Sequence, residues 1–273
     1  SLHALVGADI RKSVLTAVKR QSEESGIPKI ANQIRNYHKQ KTDIIFKDFT
    51  GISEGVSFVE CAEPDINSKT LSIYEELDGN GSNNDVLILS STKYMVGGIV
   101  ELNAAIHDKY AKGDVIEFND PAFGQVNHHI NGRSVREGEL VMYTRNDYEK
   151  DIRNGSIGKV IGKINDGISV DFDGNIVSLS LHEMTYLEHA YGLTVHKSQG
   201  SQFERVIVVI RNNRNLDRHL IYTALTRAKK QVVFVGDLSA LNRALTVSNA
   251  HKRHTKLAQH LNILIDDQVK KSA

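Results

Sequence analysis

The residues best suited to chemistry lie in the stretch AYGLTVHKSQGSQF, Ala190 to Phe203. After an apolar opening it gathers Thr194, His196, Lys197, Ser198 and Gln199, closes the polar row with Gly200, and runs into ERVIVVI, which has the composition of a buried strand. Short hydroxyls and cations suit phosphate oxygens, and a glycine lets the main chain approach a nucleotide closely. A second stretch, LDRHLIYTALTRAKK, reads as a helix from Leu216 to Lys230 with Asp217 as its N-cap and Leu220, Ile221, Ala224 and Leu225 as its apolar stripe. Arg227 falls near the helix end, off that stripe, beside Lys229 and Lys230. Such an arginine suits a helix C-terminus, where cations are favoured and common, and it could also serve a phosphate.

Position matters because the whole-chain charge is uninformative: 34 Lys and Arg against 33 Asp and Glu. Between Asp43 and Ser90 ten acidic residues face two basic ones, whereas between Glu188 and Asp237 four acidic face eight basic. The neutral total hides a basic region around the polar row, as expected of a local anion site. With 273 residues, 40% of them hydrophobic, the chain can bury a sizeable core. The single cysteine, Cys61, excludes an internal disulfide and a cysteine-based metal site, and fits a reducing compartment. No signal peptide and no membrane-length apolar run is present, so the expectation is a cytoplasmic protein without a membrane partner. The first residue is Ser1, not Met, and a chain cut from a larger protein is expected.

Positioning these residues requires a scaffold, and the sequence outlines one. Helix is expected over 10–38 in two pieces, the second with Pro28 in its first turn and Ile30, Ile34 and Tyr37 on one face. TDIIFKDF and GVSFVECA read as strands, INSKTLSIYEEL as a short helix, and DVLILSS as a buried strand. GGIVELNAAIHDKY reads as a helix with Ile99, Leu102 and Ile106 inward. Such alternation predicts a parallel sheet flanked by helices. From about Asn131 to Leu187 it gives way to short alternating runs, ELVMYTR, SIGKVIGKI, GISVDFD and NIVSLSL, separated by RNGS, NDG and FDGN. These turn signals predict hairpins, and four to five short strands in this span predict a small β-barrel. After Glu188 the strand and helix rhythm resumes with ERVIVVI, the Leu216–Lys230 helix, QVVFVGD and LSALNRAL, followed by a basic C-terminal helix. The expected organisation is one α/β domain, 1–130 and 188–273, with a barrel inserted at 131–187.

TVHKSQGSQFERVIVV followed by HLIYTALTRAKKQVVFVGD resembles the last two signature motifs of superfamily 1 helicases, in the RecD-like branch. VKRQSEESGIPKIANQIR, VLILSSTKYMVGGIVELN and GELVMYTRNDYEKDIRNGSIGKV are similar to upstream segments of the same family, in family order. The resemblance implies a second RecA-like lobe carrying an inserted, Src-homology-3-like barrel, acting in an ATP-dependent DNA helicase that moves 5′ to 3′. It implies Arg227 as the arginine finger and Arg20 as a second phosphate-sensing arginine, with Gly200 and Gln202 also at ATP. It implies single-stranded DNA on Ser91, Thr92, Lys93, Thr194, His196, Lys197 and Ser198. Gln202 stands where the family usually has a glutamate, which puts nucleotide selectivity there in question. Recombination or conjugation proteins are the partners the family implies.

A complete motor also needs a phosphate loop and a magnesium-holding carboxylate strand. VGADIRKS places Lys12 and Ser13 correctly but lacks both glycines of GxxxxGK[ST]. The chain is therefore expected to need an N-terminal RecA-like lobe for ATP and Mg2+, and to be inactive alone. A helicase-derived docking module without turnover, as in a multidomain relaxase, is the alternative, and RNA stays open as a substrate. His128, His129 and the His251–His254 cluster read as surface histidines rather than metal ligands. Tyr143, Tyr148 and Phe172 on the barrel could stack bases, with Phe172 better suited to the core.

Overall fold

The computed structural model of the chain describes residues 26–40, 43–120 and 124–247. Arg20, the first helical piece and the basic C-terminal helix with His251–His254 lie outside the described residues. The described chain starts with α1 (Ile27–Gln40), β1 (Gly55–Glu60), α2 (Ile66–Glu76), β2 (Val86–Ser90) and α3 (Ile99–Tyr110). Two small hairpins follow, β3 (Glu117–Asp120) with β4 (Gly124–Asn127) and β5 (His129–Ile130) with β6 (Arg133–Ser134). Next come β7 (Leu140–Tyr143), β8 (Ile157–Ile164), β9 (Gly167–Phe172), β10 (Asn175–Ser180), α4 (Leu181–Met184) and β11 (Leu187–His189). The chain ends its described course with β12 (Gly192–Thr194), β13 (Phe203–Ile210), α5 (Arg218–Leu225), β14 (Ala228–Gly236) and α6 (Leu238–Thr246).

Five strands form a parallel sheet in the order β1-β14-β13-β2-β12. Parallel sheets need both faces covered, and the continuous apolar runs answer that need: all five residues of β2 and Val206–Ile210 of β13 are buried. Helices α1, α5 and α6 pack with one another and on the sheet, as do α2 and α3. On α1, Ile27, Ala31 and Ile34 recur at helical spacing and are buried. On α3, Ile99, Leu102 and Ile106 are buried as their spacing predicts. Asn103 from the same helix staples the edge strand: it donates to His189 O at 3.2 Å and Gly192 O at 3.0 Å, and accepts from Gly192 N at 2.7 Å.

The expected strand TDIIFKDF does not form. Its sole ladder contact among the described residues is an isolated bridge from Lys47 to Ser57, and Ile45 is 85% exposed while Ile44 and Phe46 lean on the core. The β1 edge offers this segment one pairing, so side-chain packing rather than a ladder holds it.

Five further strands make an antiparallel sheet, β10-β9-β8-β7-β11, with its own apolar core. Asp173 (φ 53°) and Gly174 (φ 89°) both take positive φ in the tight turn between β9 and β10, which is why Asp-Gly sits there. That core also draws on Ile116, Phe118 and Ile130, ahead of the run of hairpin signals. A capping box closes α4: Ser180 N donates to Glu183 Oε2 at 2.8 Å, and Glu183 N donates back to Ser180 Oγ.

Gly236 ends β14 at φ 131°, where an added Cβ would lie 2.0 Å from Ile210 O. Backbone strain alone at such a position costs about 1–3 kcal/mol. Gly236→Ala should therefore lower the urea midpoint markedly, and an unchanged midpoint would show that this strand end can yield.

Candidate functional site

Parallel pairing sets the site. Thr194 pairs with Ser90, so the loops leaving the carboxyl ends of β2 and β12 emerge side by side. This brings Ser91, Thr92 and Lys93 next to Val195–Ser198. Val195 N donates to Ser90 O at 3.1 Å, and Thr92 N to Ser90 Oγ at 3.2 Å. Ser91 Oγ accepts from Asn213 Nδ2 at 2.8 Å. Glu188 lies between the two lysines: Lys197 Nζ donates to Oε2 at 2.7 Å and Lys93 Nζ to Oε1 at 3.4 Å. Neither Glu188 nor Asn213 could be found by sequence reasoning, because the partners of Glu188 lie 95 and 9 positions away and those of Asn213 include a residue 122 away.

The polar row itself is a compact turn. Lys197 N and Ser198 N both donate to Thr194 O, at 2.9 and 3.2 Å, and Ser201 N donates to Ser198 O at 3.3 Å. Ser198 is fully buried and its hydroxyl donates to Val195 O at 2.8 Å, so it braces the turn, while His196 is exposed and Thr194 half-buried. Gly200 takes φ 100° with open space where a Cβ would point, so backbone conformation is what calls for glycine.

From there the loop runs to the start of β13, at the opposite end of the parallel strands, and meets Arg227. Helix α5 stops at Leu225 and β14 begins at Ala228, so the expected helix to Lys230 is two elements. Pairing of Ala228 with Phe203 overrides the helix preference of Ala-Lys-Lys. Lys229 and Lys230 instead reach Glu204, at 3.2 and 2.8 Å. Asp217 caps α5 as expected, accepting from Leu220 N at 2.8 Å. Arg227, expected at a helix surface, is 8% exposed. Its Nε donates to Thr223 O at 3.3 Å, and Nη1 donates to Ser201 O at 3.2 Å and Ser198 O at 3.5 Å. The guanidinium thus grips the same turn that carries Lys197.

A cleft of about 660 Å³ opens beside this grip, with Gly200, Ser201 and Gln202 on one wall and Arg153–Ile157 and Asp173 of the antiparallel unit on the other. Gln202 Nε2 is buried without a hydrogen-bond partner among the described residues. A Cβ on Gly155 would come within 3.3 Å of Lys197 O, so the β7–β8 connection rests against the turn. The aromatics expected on the barrel divide: Tyr143 and Phe172 of the antiparallel unit are buried edge to face at 6.4 Å, while Tyr148 is 82% exposed and lies outside the strands.

Comparison with known proteins finds relatives for part of the chain. Residues 189–235, which span the turn, β13, α5 and most of β14, match the profile of the UvrD-like helicase C-terminal domain. The chain is 38% identical over 129 residues to the ATP-dependent RecD2 DNA helicase of Deinococcus radiodurans, covering 46% of this chain and 18% of that protein. It is 36% identical over 110 residues to the RecBCD enzyme subunit RecD of Mycolicibacterium smegmatis, covering 40% and 20%. The chain thus spans about a fifth of each of these relatives. Among solved structures, the Pif1 helicase from Bacteroides in complex with ADP-AlF3 and single-stranded DNA shares the fold, with a TM-score of 0.51 at 19% identity over 94% of this chain and 56% of that one. The RecD-like resemblance carried by the motifs is borne out, as is an α/β, RecA-like helicase fold. No described helix is long and apolar enough to cross a membrane.

Burial pushes the Glu188 carboxyl up, but hydrogen bonds and charge from Lys197 and Lys93 outweigh it and hold it below the usual value of 4.5. A folded pKa below the unfolded one gives stability that is complete above the unfolded value and is lost as pH falls through the folded one. Glu188→Gln should therefore lower the neutral-pH urea midpoint and flatten its decline in acid. Superimposable acid limbs for variant and parent would show that the lysine clasp contributes nothing.

Proposed function

We propose that the chain is the second RecA-like lobe of an ATP-dependent helicase or translocase acting 5′ to 3′ on single-stranded DNA. The observation that carries this reading is one loop, Val195–Gln202, joining a lysine pair at one end of the parallel strands to a buried arginine at the other. In this reading Ser91, Thr92, Lys93, Thr194, His196 and Lys197 line the path of the strand, with Ser198 bracing the turn from within. Arg227, with Arg20, acts on the transferring phosphoryl group, where a planar fork neutralises charge spread over several oxygens. Gly200 and Gln202 flank the nucleotide, and the buried Gln202 Nε2, without a partner among the described residues, supports a ligand there. ATP and Mg2+ require the phosphate loop of a first RecA-like lobe, which the described residues do not supply. The antiparallel unit is an insertion at about 131–187 in a lobe formed by 1–130 and 188–273, rolled into a Src-homology-3-like barrel; its separate core supports the division.

Arg227 decides the matter. Because it is buried on three carbonyls, Arg227→Ala loses both charge and packing, whereas Arg227→Lys keeps a cation and loses the fork. In a protein that includes the first lobe, Arg227→Lys should reduce ATP turnover by about three to five orders of magnitude. Its single-strand affinity should hold, and melting should show the lobe still folded. Near-parental turnover by a folded Arg227→Lys protein would remove the finger from this account.

The chain alone should release no phosphate from ATP beyond background, and should bind single-stranded DNA weakly. With a few phosphates engaged at about 0.7 each, the log–log salt slope should be roughly two to four. Glu188→Gln, which frees Lys93 and Lys197, should tighten that binding. DNA-stimulated turnover by the pure chain, or binding indifferent to salt, would overturn the assignment.

A further inference from the structure

Three buried ligand-type side chains from separate parts of the chain converge where the two hydrophobic cores meet. His107 lies on α3 of the parallel-sheet unit, Glu139 immediately precedes β7, and His189 ends β11. They are 7%, 1% and 2% exposed. Nε2 of His107 is 3.1 Å from Glu139 Oε1, Nε2 of His189 is 3.7 Å from the same oxygen, and the three ligand-type atoms lie within 4.8 Å of one another. Nitrogen and oxygen ligands held tetrahedrally around zinc sit roughly 3.3 Å apart, so the two spacings from Glu139 Oε1 already stand close to coordination spacing.

His189 Nε2 is buried without a hydrogen-bond partner among the described residues, a costly state that natural proteins rarely leave unresolved. The surroundings also fit ligation. His107 Nδ1 is 3.4 Å from Asp108 Oδ1, and Asp108 is gripped in turn by the Arg133 fork at 2.7 and 2.6 Å. A carboxylate on one ring nitrogen orients the other toward a metal. The other two, Glu139 and His107, are hydrogen-bonded: Tyr191 Oη donates to Glu139 Oε1 at 3.0 Å, and Ser134 O accepts from His107 Nε2 at 3.2 Å, a bond that ligation by Nε2 would replace.

We propose that His107, Glu139 and His189 bind one structural divalent transition ion of the zinc class, pinning the antiparallel unit to the parallel-sheet unit. Two imidazoles with a carboxylate select such ions over Mg2+ or Ca2+, which favour all-oxygen sets. Burial makes the role structural rather than catalytic. The ion ties α3 to the strands beside Glu188, and so to the two lysines that Glu188 holds. No motif spacing announces such a site, since its ligands come from a helix, a loop and a strand.

The test uses the 273-residue chain, purified without a histidine tag or chelator. Plasma mass spectrometry should find close to one equivalent of a transition metal. After stripping, Zn2+ should rebind at one equivalent and raise the melting temperature, and Co2+ should give the visible absorption of a low-coordinate site. Glu139→Gln and His189→Gln should lose the equivalent, while His129→Ala, on the surface, should keep it. Because the buried variants could fail to fold, the unaltered chain decides alone. If the stripped chain takes up neither Zn2+ nor Co2+ saturably and neither ion moves its melting temperature, the three residues form a metal-free joint and the proposal falls. Loss of the ion in His129→Ala would likewise overturn it, placing the metal on surface histidines.

Discussion

In a parallel sheet every strand must hand its chain back from the carboxyl to the amino end before the next strand begins, and that constraint organises this protein. Most parallel connections do so with a helix. Between β12 and β13 the return is made by Val195–Gln202 alone, passing β2, which lies between the two strands in the sheet. So short a connection is possible because β12 has three residues, held in register by Ser90 on one side and by the Asn103 amide on the other. A loop spanning two ends of a sheet cannot satisfy its main chain through a ladder. It folds on itself instead, with Thr194 O taking two amides and the Ser198 hydroxyl closing on Val195 O. Of the polar row, Ser198 is the residue that serves that return, its hydroxyl closing the turn from within.

The same economy places charge at both ends. At one end two lysines share a single carboxylate, leaving the trio net positive and the lysines held rather than swinging freely. At the other, the Arg227 guanidinium donates to carbonyls of the very turn that carries Lys197. Burial strengthens such contacts, since interior charges are screened far less than surface ones. A displacement of the turn therefore changes the carbonyls available to Arg227 and the position of Lys197 together. Hydrogen bonds thus connect Arg227 to the turn that carries Lys197.

Much of this was legible in the sequence. The apolar run VIVVI has no solvent face, so it had to be a central strand, and Ile99, Leu102 and Ile106 declared the buried side of α3. Asp173-Gly174 fixed a hairpin turn because its geometry needs two positive φ values. The failures share a cause. TALTRAKK reads as helix throughout, yet pairing of Ala228 with Phe203 takes over at Arg227 and buries a side chain expected at the surface. TDIIFKDF has strand composition, but a strand needs a partner edge, and among the described residues only Ser57 offers one, to Lys47. Local pattern reports what a segment prefers; which neighbour it meets is decided at long range. The Glu188 clasp and the buried His107, Glu139 and His189 cluster depend wholly on such meetings, so the sequence carried no sign of them.

Strand β11 shows how closely the two parts of the chain depend on one another. Neighbouring residues on a strand point to opposite faces, and here that alternation separates two tasks. Glu188 turns toward Lys93 and Lys197, while His189 turns into the buried joint with Glu139 and His107. The strand pairs with β7 of the antiparallel sheet, and with two residues between them the chain enters β12 of the parallel one. A shift of the antiparallel unit therefore cannot leave the lysine clasp untouched, because the carboxylate holding the clasp is carried on that unit's own edge strand. What fixes His189 fixes Glu188, and what fixes Glu188 sets the entrance to the turn that ends at Arg227.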